Sequence, residues 1–158
     1  MENIAEKEVR LEQLLPLILE TLEKGHTVSF APRGISMLPM LHQGRDTVTL
    51  APISRELKKY DLPLYRRDDG AFILHRIVAA GETFTCIGDN QYELERGVRR
   101  DQMIAVVTSF TRNGHLVEVT DLRYQLYCRF WHWSRPARRF LGRVKGFIRR
   151  KLRALVRR

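Results

Sequence analysis

Residues 33–41 read RGISMLPML and set one serine, Ser36, among methionines and leucines, between a glycine and a proline. A serine hydroxyl is a poor nucleophile at neutral pH unless a neighbouring base takes its proton. Five histidines are available as that base. His26, His42 and His115 fall near turns or strand ends with polar neighbours, and His132 falls in the C-terminal tail. His75 differs. It interrupts the apolar run AFILHRIVAA, where an imidazole must find a hydrogen-bond partner or bear the cost of desolvation. A third group would have to orient the ring. Asp89, in the turn signal of IGDNQYELERG directly after an apolar strand, is the first candidate, and Glu95 is the competing carboxylate. Each residue alone also fits a plain structural role: a core histidine with a satisfied ring, or an aspartate bonded to its own turn.

Taken in order, these pieces resemble the signal peptidase and LexA-type serine peptidase superfamily. Its members share a G-x-S-M-x-P box, a G-D-x-V step, a strand bearing the base, and a G-D-N turn. The chain has Gly34-Ile35-Ser36-Met37-Leu38-Pro39, then Gly44-Arg45-Asp46-Thr47-Val48 with one inserted residue. His75-Arg76-Ile77-Val78 and Gly88-Asp89-Asn90 follow, and the likeness spans residues 26–110. Where many members use a lysine base this chain has His75, which is similar to the endoplasmic-reticulum and archaeal branch. The resemblance implies a serine endopeptidase with Ser36 as nucleophile and His75 as general base. Asp89 would hold the imidazole, with Glu95 as runner-up. No metal or other cofactor is expected. The substrate would be an extended peptide or precursor-protein segment paired to an exposed strand, for which Leu62–Arg66 is the candidate edge because Pro63 suits an edge position. Met37, Leu62 and Leu64 are the expected substrate-binding side chains. Members that cut secreted precursors usually carry a transmembrane anchor before the serine box; here an acidic amphipathic segment, MENIAEKEVRLEQ, stands in that place.

The elements that must position these residues are mostly short strands. Leu11, Leu14, Leu15, Ile18 and Leu22 recur at helical spacing, which predicts a helix over residues 2–24, kinked or divided at Pro16 and stopped by Gly25. HTVSFAP alternates as a strand, with Val28 and Phe30 on one face. RGISMLPMLHQGRD follows as a loop, then TVTLAPI as a strand. Asp68-Asp69-Gly70 predicts a hairpin between strands near residues 62–66 and 71–79. TFTCIGDN predicts another strand ending in a turn, and Asn113-Gly114 joins two more strands. The expected fold is mainly β, α+β overall: small coiled sheets after an N-terminal helix (1–25), a peptidase-like domain (26–122) and a basic helical tail (123–158).

Charge separates the tail from the rest. Of 158 residues, 44% are hydrophobic and the net charge is +10. Residues 123–158 hold eleven Arg and two Lys and no acidic residue. Leu141, Val144, Ile148, Leu152 and Leu155 share a helical face there, and Phe130, Trp131 and Trp133 suit a membrane interface. Three readings follow: an anionic membrane surface, a helix packed on the domain with solvated arginines, or nucleic acid, for which no recognised motif is present. The two cysteines, Cys86 and Cys128, have no metal-ligand spacing and read as ordinary thiols of a reducing compartment. No spanning helix or signal peptide is encoded, so a cytoplasmic protein is expected, with a peripheral place on the inner membrane face as the alternative. Two other functions compete with the peptidase: a non-catalytic peptide-binding relative, and a basic adaptor whose tail is its function. A self-cleaving switch at Ala80-Gly81 is a further variant, although that dipeptide reads more simply as a turn.

Overall fold

The computed structural model of the protein describes residues 11–144. Residues 2–10 of the expected first helix, and Ile148, Leu152 and Leu155 of the tail face, lie outside the described residues. The chain runs α1 (Leu11–Glu23), β1 (Val28–Phe30), β2 (Val48–Ala51), β3 (Pro63–Arg66), β4 (Phe72–Leu74), β5 (Arg76–Ala80), β6 (Phe84–Ile87), β7 (Glu95–Val98), β8 (Met103–Arg112), β9 (His115–Glu118) and α2 (Leu122–Trp133). A single 3-10 turn, Arg100–Gln102, precedes β8. The class is α+β with antiparallel sheets. The first sheet has the order β1-β2-β8-β3-β4, with β9 also paired to β8; the second is β5-β6-β7.

Strand alternation explains how the sheets pack. Successive side chains of a strand point to opposite faces. In β8, Ala105 and Val107 join one core cluster with Ile18 and Leu22 of α1, Val48, Leu50 and Leu64. Val106, between them, joins the other cluster with Tyr65, Ile77, Phe84 and Cys86. The two clusters therefore lie on opposite faces of the first sheet. The helices cover one face and the second sheet covers the other. Helix α1 carries through Pro16, which is exposed on the solvent side, so the expected break does not occur. Gly25 ends it with φ +80°. The hairpins form at both expected turns. Gly70 takes φ +88°, and Asn113 and Gly114 both take positive φ, as a two-residue hairpin loop requires.

Two strand expectations are corrected. The run 71–79 is not one strand: Leu74 ends β4 in the first sheet and Arg76 begins β5 in the second, so His75 marks the crossing between sheets. The segment around Leu64 is not an edge, because β3 pairs with both β4 and β8. Pro63 is tolerated as the first residue of β3. The strands of the first sheet paired on one side only are β1, β4 and β9. Strand β7 was not anticipated; its charged sequence ERGV has a weak strand signal.

Asp46 fastens the loop that carries Ser36 to the sheet. Its carboxylate is fully buried and accepts hydrogen bonds from the Arg45 side chain, from His42 N at 2.9 Å and from Asn113 N at 3.2 Å. These bonds, the Arg45 one first, hold its carboxyl well below the usual carboxylate range. Stability from this group is therefore complete above about pH 4 and is lost as pH falls further. Asp46→Ala should destabilise the protein by about 2 kcal/mol in urea unfolding at neutral pH, with the deficit shrinking in acid, where the wild-type carboxylate is itself protonated.

Candidate active site

Ser36 sits in the loop between β1 and β2, which is bent by Gly34 at φ +90° and by a cis Leu38–Pro39 peptide. The Gln43 side chain accepts the Gly34 N–H at 2.6 Å, and the Met37 carbonyl accepts from Met40 and Leu41. Met37, Met40 and Leu41 are buried in the main core, so the apolar residues around the serine act as anchors for its loop. The Ser36 backbone N–H makes no hydrogen bond among the described residues, which leaves it available to a developing oxyanion.

The Gly88-Asp89-Asn90 turn, after β6, locks this loop to the base. Asn90 N donates to the Ser36 carbonyl at 2.8 Å, and Asn90 Nδ2 to the Ile35 carbonyl at 3.1 Å. Gly88 is required by space. A Cβ there would stand 2.6 Å from the Ser36 carbonyl oxygen, and 3.1 Å from both Ser36 Cβ and His75 Nε2. The serine side chain and the Nε2 edge of the imidazole thus both border the Gly88 turn, and both residues line one cleft. The Ser36 hydroxyl makes no hydrogen bond to the ring among the described residues. Catalytic contacts are commonly loose before substrate binds.

His75 is buried, and its other nitrogen faces a polar pair. Nδ1 lies 3.5 Å from the Tyr65 hydroxyl and 3.8 Å from Glu95 Oε2. Tyr65 donates to that same Glu95 oxygen at 2.7 Å, and Arg67 binds the carboxylate with Nε and Nη2. Arg67 and Tyr65 hold Glu95 below the usual carboxylate range, so it is anionic at neutral pH. This geometry favours the tautomer with Nδ1–H toward Glu95 and Tyr65 and a lone pair on Nε2 toward Ser36. Burial pushes the His75 pKa down to about 4 despite the nearby carboxylate, so the ring is neutral at physiological pH.

Asp89 does not hold the imidazole. Its carboxylate pairs with the wholly buried Arg76 at 2.9 and 2.8 Å and accepts the Tyr127 hydroxyl at 3.0 Å. The structure brings together Ser36, His75 and Glu95. Tyr65 and Arg67 were missed by sequence reasoning. The available signal was a tyrosine inside the buried strand PLYR, whose hydroxyl must find a partner.

A cleft of about 150 Å³ opens beside Ser36 and His75, lined by Phe30, Met37, Leu64, Phe72 and Leu74 among others. Of the expected substrate-binding side chains, Met37 and Leu64 line this cleft and both are largely buried. Leu62 does not line it and belongs to the main core. Two free edges border the cleft, β1 through Phe30 and β4 through Phe72–Leu74, whereas the strand around Leu64 is paired on both sides. Ala80-Gly81 lies at the β5–β6 turn and does not line the cleft. Cys86 and Cys128 are buried free thiols. Among the described residues, no three His, Cys, Asp or Glu side chains gather as metal ligands. No family model, curated protein or solved structure matches the chain.

The depressed His75 pKa has a sign for stability. Between about pH 4 and 6.5 the unfolded chain binds a proton that the folded ring refuses. The contribution is whole above pH 6.5 and is lost as pH falls toward 4. In an NMR titration the His75 ring should keep its neutral shifts down to about pH 4. A midpoint near 6.5 would contradict the burial assigned to it.

Proposed function

We propose that the protein is a serine endopeptidase of the signal peptidase and LexA-like kind, with Ser36 as nucleophile and His75 as base. The observation that carries this reading is that Ser36 Cβ and His75 Nε2 both border the Gly88 turn and that both residues line one cleft beside a free strand edge. Two small antiparallel sheets, with the base at the crossing between them, support the same fold type.

The reaction follows from the groups present. A peptide pairs with a free edge beside the cleft and lays its scissile carbonyl over Ser36. The hydroxyl oxygen attacks the carbonyl carbon while His75 Nε2 takes the proton. The resulting oxyanion faces the Ser36 N–H. Glu95, steadied by Arg67 and Tyr65, stabilises the imidazolium through Nδ1. The intermediate collapses, the C–N bond breaks, and Nε2 returns the proton to the leaving amine. A water activated by the same nitrogen then hydrolyses the Ser36 ester. A second reading draws on the unbonded Ser36 hydroxyl: a relative that binds extended peptides along such an edge without cutting them.

A fluorophosphonate probe separates the two. The wild type should label at one site and Ser36→Ala should not label at all. His75→Ala should label about 10²- to 10⁴-fold more slowly. Equal labelling of wild type and Ser36→Ala, or none of either, would leave only the binding reading. The labelling rate of the free protein should persist in acid until pH approaches 4, because the ring must be neutral.

Gly88→Ala should slow labelling at least about a hundredfold, since its new methyl group displaces Ser36 and His75 together. Gly81→Ala is the control. Its Cβ meets nothing closer than 3.9 Å, and its labelling should match wild type.

A further inference from the structure

The inner face of α2 is fully engaged. Tyr124 and Cys128 are buried in the main core, Tyr127 bonds Asp89, and Trp131 Nε1 donates to the Asp89 carbonyl at 2.8 Å. Its outer face is of another kind. Leu122, Leu126, Phe130 and Trp133 are all exposed, Phe130 at 62% and Trp133 at 78%. Ser134 keeps helical backbone angles, with φ −73° and ψ −6°, and helical residues 135–144 continue beyond it. They add exposed Phe140, Leu141 and Val144. At 3.6 residues per turn these seven side chains fall within an arc of about 100°, turned away from the face that packs on the sheets. Arg123 and Arg129 are exposed and border that arc, and Arg139 and Arg143 are exposed further round the helix.

From this arrangement we infer that the outer face of α2 and residues 135–144 is a docking surface for an anionic lipid bilayer, lying in the interface with its axis along the membrane. A soluble helix exposes scattered apolar residues, but a continuous stripe of leucine and aromatic side chains marks a contact surface. Charge decides among the occupants. The stripe lies in a segment, 123–158, with thirteen basic residues and no acidic one. A second copy of this chain would bring the same excess of positive charge to the seam and be repelled. A phosphate backbone would answer the arginines and leave Leu126, Phe130, Trp133 and Phe140 in water. A bilayer with acidic headgroups answers both, because its phosphates take the arginines and its acyl boundary takes the stripe. Among the described residues no helix is long and apolar enough to cross a membrane, so the contact is with one surface. Trp131 is excluded from that contact by its bond to Asp89; Trp133 is the indole that reaches lipid. The inference stands apart from the peptidase reading, since it concerns binding and not cleavage.

The test is co-sedimentation of the full chain with vesicles of phosphatidylcholine, and of phosphatidylcholine mixed equally with phosphatidylglycerol. The wild type should partition onto the mixed vesicles at least about tenfold better, and salt should weaken that binding. Phe130→Ser with Trp133→Ser should weaken partitioning onto the mixed vesicles about tenfold or more. Its thermal unfolding should match wild type, because neither side chain is packed. Failure of the wild type to bind mixed vesicles would overturn the inference, as would equal binding by the double variant. So would light scattering that finds a wild-type dimer reduced to monomer by the two substitutions without any lipid binding. Tight binding of an oligonucleotide that the same substitutions abolish, again with no lipid binding, would assign the face to nucleic acid instead.

Discussion

A guanidinium inside a protein must have its N–H groups answered, and Arg76 is 2% exposed. Its Nε and Nη2 grip the Asp89 carboxylate. Nη1 reaches the Tyr124 hydroxyl at 2.8 Å, Cys128 Sγ at 2.9 Å and the Tyr60 carbonyl at 3.3 Å, and Nη2 also approaches Met40 Sδ at 3.0 Å. These partners come from the turn after β6, from α2, from the segment before β3 and from the serine loop. A buried ion pair adds little net stability over well-packed apolar groups, but removing one partner is severe. The consequence is positional. None of the four segments can drift without leaving a charge or a donor unanswered in a dry interior.

The site inherits that rigidity through adjacency. His75 and Arg76 are consecutive at the crossing between sheets, and they point to different places: the ring to the cleft, the guanidinium to the interior. Gly88, Asp89 and Asn90 divide their work in the same way. Gly88 lets the serine and the imidazole approach, Asp89 binds Arg76, and Asn90 holds the Ile35 and Ser36 carbonyls. Two short segments, one of two residues and one of three, therefore connect the buried pair to the surroundings of Ser36 and His75. The surroundings of His75 then keep it a free base. Low polarity opposes its protonation, while Arg67 matches the charge of Glu95 and limits how far that carboxylate can draw a proton onto the ring.

Much of this was legible in the residues. Periodicity located the strands around Val28, Val48, Phe84 and Met103, and the Asp-Gly and Asn-Gly turns marked both hairpins. The isolated hydroxyl and the histidine in an apolar run are two groups that both border the Gly88 turn. What stayed hidden depends on long-range pairing. AFILHRIVAA has the period of one strand, and nothing local records that Leu74 and Arg76 join different sheets. LPLYR looks like an edge because of Pro63, yet its neighbour on the far side, β8, lies about forty residues on, beyond any local signal. Asp89 and Glu95 are equally acidic in the sequence. Their roles are divided by the arginine each one meets, Arg76 inside and Arg67 at the rim, and those meetings are tertiary.

The tail shows why a change in composition is a poor guide to where a fold ends. Net charge changes sharply near residue 123, yet Tyr124 and Cys128 belong to the same core cluster as Ile18, Val48 and Val107. Without α2 the Arg76 guanidinium would lose the hydroxyl and thiol that answer Nη1, and Asp89 would lose the Tyr127 and Trp131 donors. Basic composition describes the outer surface of this helix; its inner surface completes the burial of the ion pair beside the serine loop. One helix thus packs its inner face on the ion pair beside the serine loop and leaves its outer face exposed.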